Sequence, residues 1–238
     1  MTKKWYKHWW AVLLFIILGL FLILTFITGF YIFREVKNYQ PDNSQNNKNP
    51  KNEIIYHLKQ QKKYPRPEGK NNLNFYLGTT SPLVTIVEFS SFGCPESKNS
   101  YSKIRKLGLK YEDEIKIIFR HFPTSENSLN FSLASYCAGE QGAFWPMHDK
   151  LFQNQKKINS SQQITTFAEQ IGIDTKLFQK CLSSNKYEDE ITTDIKEGKE
   201  MGVSGTPTWF FNGYRIKGDI PYNIMEAITV SLIKENKG

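Results

Sequence analysis

Cysteine is scarce: three residues in 238. That scarcity excludes a disulfide-dense miniature scaffold and any four-cysteine zinc site. None of the three forms a Cys-x-x-Cys pair, because Ser97 stands where a partner for Cys94 would be. Cys94 and Ser97 therefore cannot store two oxidising equivalents as an internal bridge. Histidine is also sparse, at four residues. His57, His121 and His148 lack zinc-ligand spacing to another ligand, so no metal is expected. His148, one turn beyond Trp145, reads as a packing or solvent-facing residue.

Negative charge is in deficit, with 23 Asp and Glu against 31 Lys and Arg, a net charge of +8. The lysines are scattered, and no helix or strand gathers them into a stripe. Nucleic acid is therefore not an expected partner. Charge is absent altogether from residues 9–33, WWAVLLFIILGLFLILTFITGFYIF. This run exceeds the roughly 20 residues that span a bilayer core. It is too long for the apolar region of a cleaved signal peptide, the competing reading, and no small-residue cleavage site follows. Trp9, Trp10, Phe30 and Tyr31 lie at its ends, where interfacial aromatics prefer to sit. The expectation is an uncleaved transmembrane signal anchor over 9–33, with membrane lipid as its partner. Lys3, Lys4 and Lys7 mark residues 1–8 as a cytoplasmic head. The body then lies outside a single-pass cell (inner, cytoplasmic) membrane.

Residues 34–72 read as a polar tether. The stretch PDNSQNNKNPKN, residues 41–52, has no apolar side chain to offset ordering entropy. A short helix is expected around residues 54–61, with Ile54, Ile55 and Leu58 on one side. The folded domain is expected over 73–238.

In that domain, Leu83–Phe89 is an apolar run suited to a strand buried on both faces. A helical stretch over 96–113 and a second buried strand, Ile115–Phe119, follow, which together make a β-α-β unit. Residues of about 125–200 are predicted to be mostly helix. Thr208–Phe211 and Tyr214–Ile216 flank Asn212-Gly213, the strongest short hairpin signal. A last helix carries Ile224, Ile228 and Leu232 on one face. The predicted class is α/β: a β-α-β half and a β-β-α half around a large inserted helical domain.

The stretches LGTTSPLVTIVEFSSFGCP, FRHFP, CAGEQGAFWPMHDKLFQNQ, FQKCL and GVSGTPTWFFNG carry a resemblance. In their order and spacing, the chain from about Leu77 onward resembles the DsbA-like branch of the thioredoxin superfamily. The resemblance implies a thioredoxin fold and thiol–disulfide chemistry on extracytoplasmic proteins. Cys94 matches the nucleophilic cysteine, Pro207 the cis-proline facing it, and Glu88 the buried acidic residue. The departure from the pattern is Ser97, where the family has its resolving cysteine. Glu96 is unusual within the dipeptide that follows the nucleophile.

Pro95 suits the first turn of a helix, whose amides favour a thiolate at Cys94. Glu96 opposes this with a nearby negative charge. The Ser97 hydroxyl can donate a hydrogen bond to the sulfur but cannot attack a mixed disulfide. Thr206, Pro207, Pro95 and Glu96 are the expected substrate contacts, with an extended client pairing at the Thr206-Pro207 backbone. Glu88 is either a proton relay for the thiol or a carboxylate paired with a lysine at a sheet edge. Cys137 and Cys181 are expected to form a structural disulfide outside the cell, the alternative being two free core residues.

The expected function is a membrane-tethered oxidoreductase working through one cysteine by mixed-disulfide exchange, isomerisation or reduction. No bound cofactor is implied. Turnover needs an external thiol such as glutathione, or a membrane redox partner. The expected substrates are extracytoplasmic proteins with cysteines. A peptide-holding protein that has lost turnover is the alternative, and a glutathione-using transferase is a third reading.

Overall fold

A computed structural model describes residues 9–38, 50–64, 75–158 and 160–237. The expected cytoplasmic head, and tether residues 39–49 and 65–74, lie outside the described residues. The chain divides into two units, residues 1–49 and 50–238.

The first unit contains helix α1, Trp9–Asn38. Its stretch Val12–Arg34 is long and apolar enough to cross a membrane. Thr25 and Thr28 donate their hydroxyls to the carbonyls of Leu22 and Leu24, each at 2.9 Å. These polar groups are thus satisfied within the helix, as a lipid environment demands.

The second unit is built on a five-stranded sheet in the order β1-β3-β2-β4-β5. Its strands are β1 (Tyr76–Gly78), β2 (Val84–Ser90), β3 (Ile115–His121), β4 (Thr208–Phe211) and β5 (Tyr214–Lys217). The β2 and β3 strands pair in parallel, and the other neighbours are antiparallel. All seven residues of β2 are buried, as a central strand with both faces covered requires. Helix α3, Pro95–Lys110, links β2 to β3 and buries Ser97, Ser100, Ile104, Leu107 and Gly108. Gly108 allows this close packing, since a Cβ there would fall 2.9 Å from Ile117 Cδ1. The β4–β5 turn holds Asn212 and Gly213 at φ of 46° and 90°, which fits the twist of the hairpin.

Helices α4 (Glu126–Gly139), α5 (Phe144–Asn154), α6 (Ser161–Gln170), α7 (Thr175–Ser183) and α8 (Glu188–Glu200) form the insertion. They share a core that includes Phe131, Tyr136, Phe144, Met147, Phe152 and Phe178. Ser125 caps α4 by accepting from Ser128 N, and Asp174 caps α7 by accepting from Lys176 N and Leu177 N. A disulfide joins Cys137 of α4 to Cys181 of α7. The insertion is docked to the sheet through a buried ion pair. Arg120 of β3 donates to Asp194 of α8 at 2.6 Å and to Glu197 at 2.7 Å. His121 N and the Tyr136 hydroxyl complete the Asp194 carboxylate, at 2.8 and 3.2 Å. A buried pair is tolerated only when its remaining hydrogen-bonding capacity is filled in this way.

One boundary differs from the sequence expectation. Residues 50–64 are part of the folded body, not of a tether running to residue 72. Helix α2, Pro50–Lys59, inserts Leu58 into the core formed with Met225 and Leu232 of α9, the helix Tyr222–Lys237. Beyond it, Tyr64 N donates to Gly213 O at 2.9 Å, and the Tyr64 ring meets Phe210 edge-on at 5.7 Å. The local composition is polar because α2 needs to bury few residues of its own. The rest of its apolar environment comes from α9 and the sheet.

Candidate active site

The β2 strand ends at Ser90, and a short turn leads into α3 with Cys94 as its N-cap and Pro95 at the first helical position. Proline fits there because the first helical N–H has no helical acceptor. Cys94 N donates to Ser91 O at 3.0 Å, closing the turn, and Lys98 N donates to Cys94 O at 3.0 Å, opening the helix. Gly93 is required by close approach, since a Cβ there would sit 2.2 Å from Ser128 Oγ on α4. Cys94 is the free cysteine and is half-buried.

The Cys94 thiol donates to the backbone carbonyl of Thr206 at 3.1 Å. Thr206-Pro207 is a cis peptide bond, directly before β4. Two regions far apart in sequence thus meet at the sulfur. Thr206 Oγ1 is buried with no partner among the described residues. Ser97 is fully buried one turn into α3 and accepts from Ser91 N at 3.5 Å. The thiol is therefore partnered by the Thr206 carbonyl, whereas the sequence pointed to the Ser97 hydroxyl. Pro95 and Glu96 are exposed at the helix start.

Glu88 lies in the central strand, opposite Phe119 on β3 and Trp209 on β4. It is 1% exposed, and its Oε1 has no hydrogen-bond partner among the described residues. Burial pushes its carboxyl up to about 8. This central position removes the alternative of a surface salt bridge at a sheet edge.

Gln155 was not singled out by the sequence reading. It lies just past α5, and its Nε2 donates to Phe92 O and Cys94 O, both at 2.8 Å. It is the last residue of the stretch CAGEQGAFWPMHDKLFQNQ that carries the resemblance, but its role was not read there because its partners lie some 60 residues earlier. Ser91 Oγ contacts Thr124 Oγ1 at 3.2 Å and ties the turn to the loop after β3. Behind the turn, Phe92 packs against His121 and His148, both fully buried. Burial holds both imidazoles below their ordinary value, and His148 Nδ1 lies 2.9 Å from Asp149 Oδ1. His57 sits on α2, 3.8 Å from Glu53. Among the described residues, no group of three or more His, Cys, Asp or Glu could hold a metal ion.

Residues 70–229 match the family model described as Thioredoxin. Over 159 residues the chain is 33% identical to a protein of Salinispora tropica named Na(+)/H(+) antiporter NhaA 3. That match takes in 66% of this chain but only 24% of the relative's length. BdbD from Bacillus subtilis, solved in its oxidised form, is 25% identical with a TM-score of 0.59. The alignment covers 70% of this chain and 94% of that one. The thiol-disulfide exchange protein alpha-DsbA2 from Wolbachia pipientis shares the fold at 21% identity and a TM-score of 0.64. It covers 77% of this chain and 97% of its own. With its sheet order, its cysteine at the head of α3 and its cis-proline before β4, the chain belongs to the thioredoxin family and has a DsbA-like fold.

Proposed function

We propose that this chain exchanges thiols and disulfides on extracytoplasmic proteins through a single nucleophile, Cys94, while α1 tethers it to the membrane. The observation that carries the reading is the half-buried thiol at a helix start, 3.1 Å from Thr206 O, in a chain whose other cysteines form a disulfide. A structural cysteine has no need of that position, whereas an attacking thiolate gains from the helix N-terminus.

In the first step the Cys94 thiolate attacks one sulfur of a client disulfide. That S–S bond breaks, the other client sulfur leaves as a thiolate and takes up a proton, and a Cys94–client disulfide remains. A second thiol must then release Cys94. It comes from the client itself in isomerisation, or from a small thiol such as glutathione or a membrane partner in reduction. Ser97 cannot serve, because a hydroxyl is no nucleophile for this bond. Glu88, protonated near neutrality, is suited to hold a proton beneath the site. The Thr206-Pro207 backbone, with Pro95 and Glu96 at the rim, receives the client strand.

The test is a peptide-oxidation assay without added thiol. The wild type should give at most one turnover, and Ser97→Cys should cycle when a re-oxidant is supplied. Sustained turnover by the wild type alone would overturn the single-cysteine reading. Alkaline washing of cell membranes should leave the chain in the membrane fraction, and release into the wash would remove the tether.

A further inference from the structure

We infer that Gln155 is a positioning residue for the exchange reaction, aiming the Cys94 sulfur by clamping the turn that carries it. This rests on the exchange chemistry proposed above.

Within the turn between β2 and α3 one bond of ordinary length, Cys94 N to Ser91 O at 3.0 Å, is joined by weaker ones. Gly93 N donates to Ser91 Oγ at 3.4 Å, and Ser91 N reaches Ser97 Oγ at 3.5 Å. Both are long for protein hydrogen bonds. Gly93 adds no side chain to pack. Against these stand the two 2.8 Å bonds from Gln155 Nε2 to Phe92 O and Cys94 O. A primary amide has two N–H donors, and here each carbonyl takes one. The two carbonyls bracket Gly93 and Cys94, so one side chain fixes both ends of the dipeptide. Phe92 O has no backbone donor among the described residues, so Gln155 supplies its hydrogen bond.

The origin of the clamp matters as well. Thr206 reaches the sulfur from the sheet side, while Gln155 reaches the backbone from the helical insertion. The line from Cys94 to an incoming disulfide is therefore set jointly by both layers. Disulfide exchange needs three sulfurs in line, and small misplacements are costly to a reaction of that kind. Alkylation by a small reagent imposes a weaker geometric demand.

The inference predicts a separation between these two reactions and an order among variants. In the full-length chain in detergent, Gln155→Ala and Gln155→Leu should slow mixed-disulfide formation with a cystine-containing peptide by roughly 10- to 100-fold. Alkylation of Cys94 by iodoacetamide should change by less than about threefold. Gln155→Lys keeps donors on a chain of comparable reach and should retain most of the ratio of exchange to alkylation, in which the effect of its charge on the thiolate cancels. Gln155→Leu keeps a similar size but offers no donor and adds no charge beside the thiolate. The inference is overturned if Ala and Leu exchange at the wild-type rate. It is also overturned if Lys has a ratio as low as Leu, or if both reactions fall together with the melting temperature, which would mark a merely structural role. A wild type that forms no mixed disulfide refutes the exchange chemistry itself.

Discussion

Glu88 shows how far a single residue departs from its ordinary chemistry here. Its carboxyl titrates at about 8, against 4.5 for the free side chain, because burial penalises the charged form. Between those values the folded chain holds a proton that the unfolded chain has released. Glu88 thus leaves stability unchanged below about pH 4.5 and lowers it as pH rises towards 8, with no further loss above. Glu88→Gln, which does not titrate, should gain about 2–4 kcal/mol relative to the wild type between about pH 5 and pH 8. Urea unfolding at both pH values checks this, and a gap that stays constant with pH would refute it. At this scale the sequence was uneven. Cys94 and Ser97 could be read because their neighbours carry a recognisable order, and the apolar strand around Glu88 marked it as costly. Its position in the central strand could not be read, since strand order is decided by partners such as Phe119 and Trp209. Gln155 closes one of the stretches that carry the resemblance, but its role could not be read, being defined by two backbone carbonyls rather than by any side-chain pattern.

Among the elements, the hairpin and the central strands were legible because their signals are local. Asn212-Gly213 specifies its own turn, and an apolar run like β2 can only be buried. The docking of the helical insertion was not legible, because Arg120 and Asp194 are separated by 74 residues and look like ordinary surface charges in sequence. The same insertion is stapled internally by Cys137–Cys181, with a sequence separation of 44. By the chain-entropy estimate, a loop of that length stabilises the fold by about 4 kcal/mol. Replacing both cysteines by serine should therefore lower the melting temperature by about 10 °C. Since Cys94 lies outside the bridge, its alkylation rate should stay near the wild-type value. Scanning calorimetry and the alkylation assay measure the two effects separately. An unchanged melting temperature would show that the bridge contributes nothing to stability.

At the scale of the whole molecule, the folded body begins earlier than composition suggests. Hydropathy along one segment reports what that segment can bury on its own account, and α2 offers little beyond Ile55 and Leu58. The burial becomes visible only once α9 and the β4–β5 hairpin supply the other walls. Leu58 is 3% exposed, and full burial of a leucine is worth about 1.5–3 kcal/mol. The edge contact of Tyr64 with Phe210 adds about 0.5–1.5 kcal/mol. The exposed Lys59–Glu235 pair adds little, as surface ion pairs do. A version of the chain beginning at Asn72 should therefore be less stable than one beginning at Pro50 by about 3 kcal/mol. Leu58 shares its core with Ile104 and Leu107, about three turns along α3 from Cys94, whereas Gln155 and Thr206 hold the turn itself, so the Cys94 turn should keep its structure. Urea midpoints of the two versions give the stability difference, and the rate of mixed-disulfide formation reports on the turn. Equal midpoints would return residues 50–64 to the tether. A shorter version that is less stable yet exchanges at the same rate under native conditions would place α2 in the body as a structural brace, separate from the chemistry.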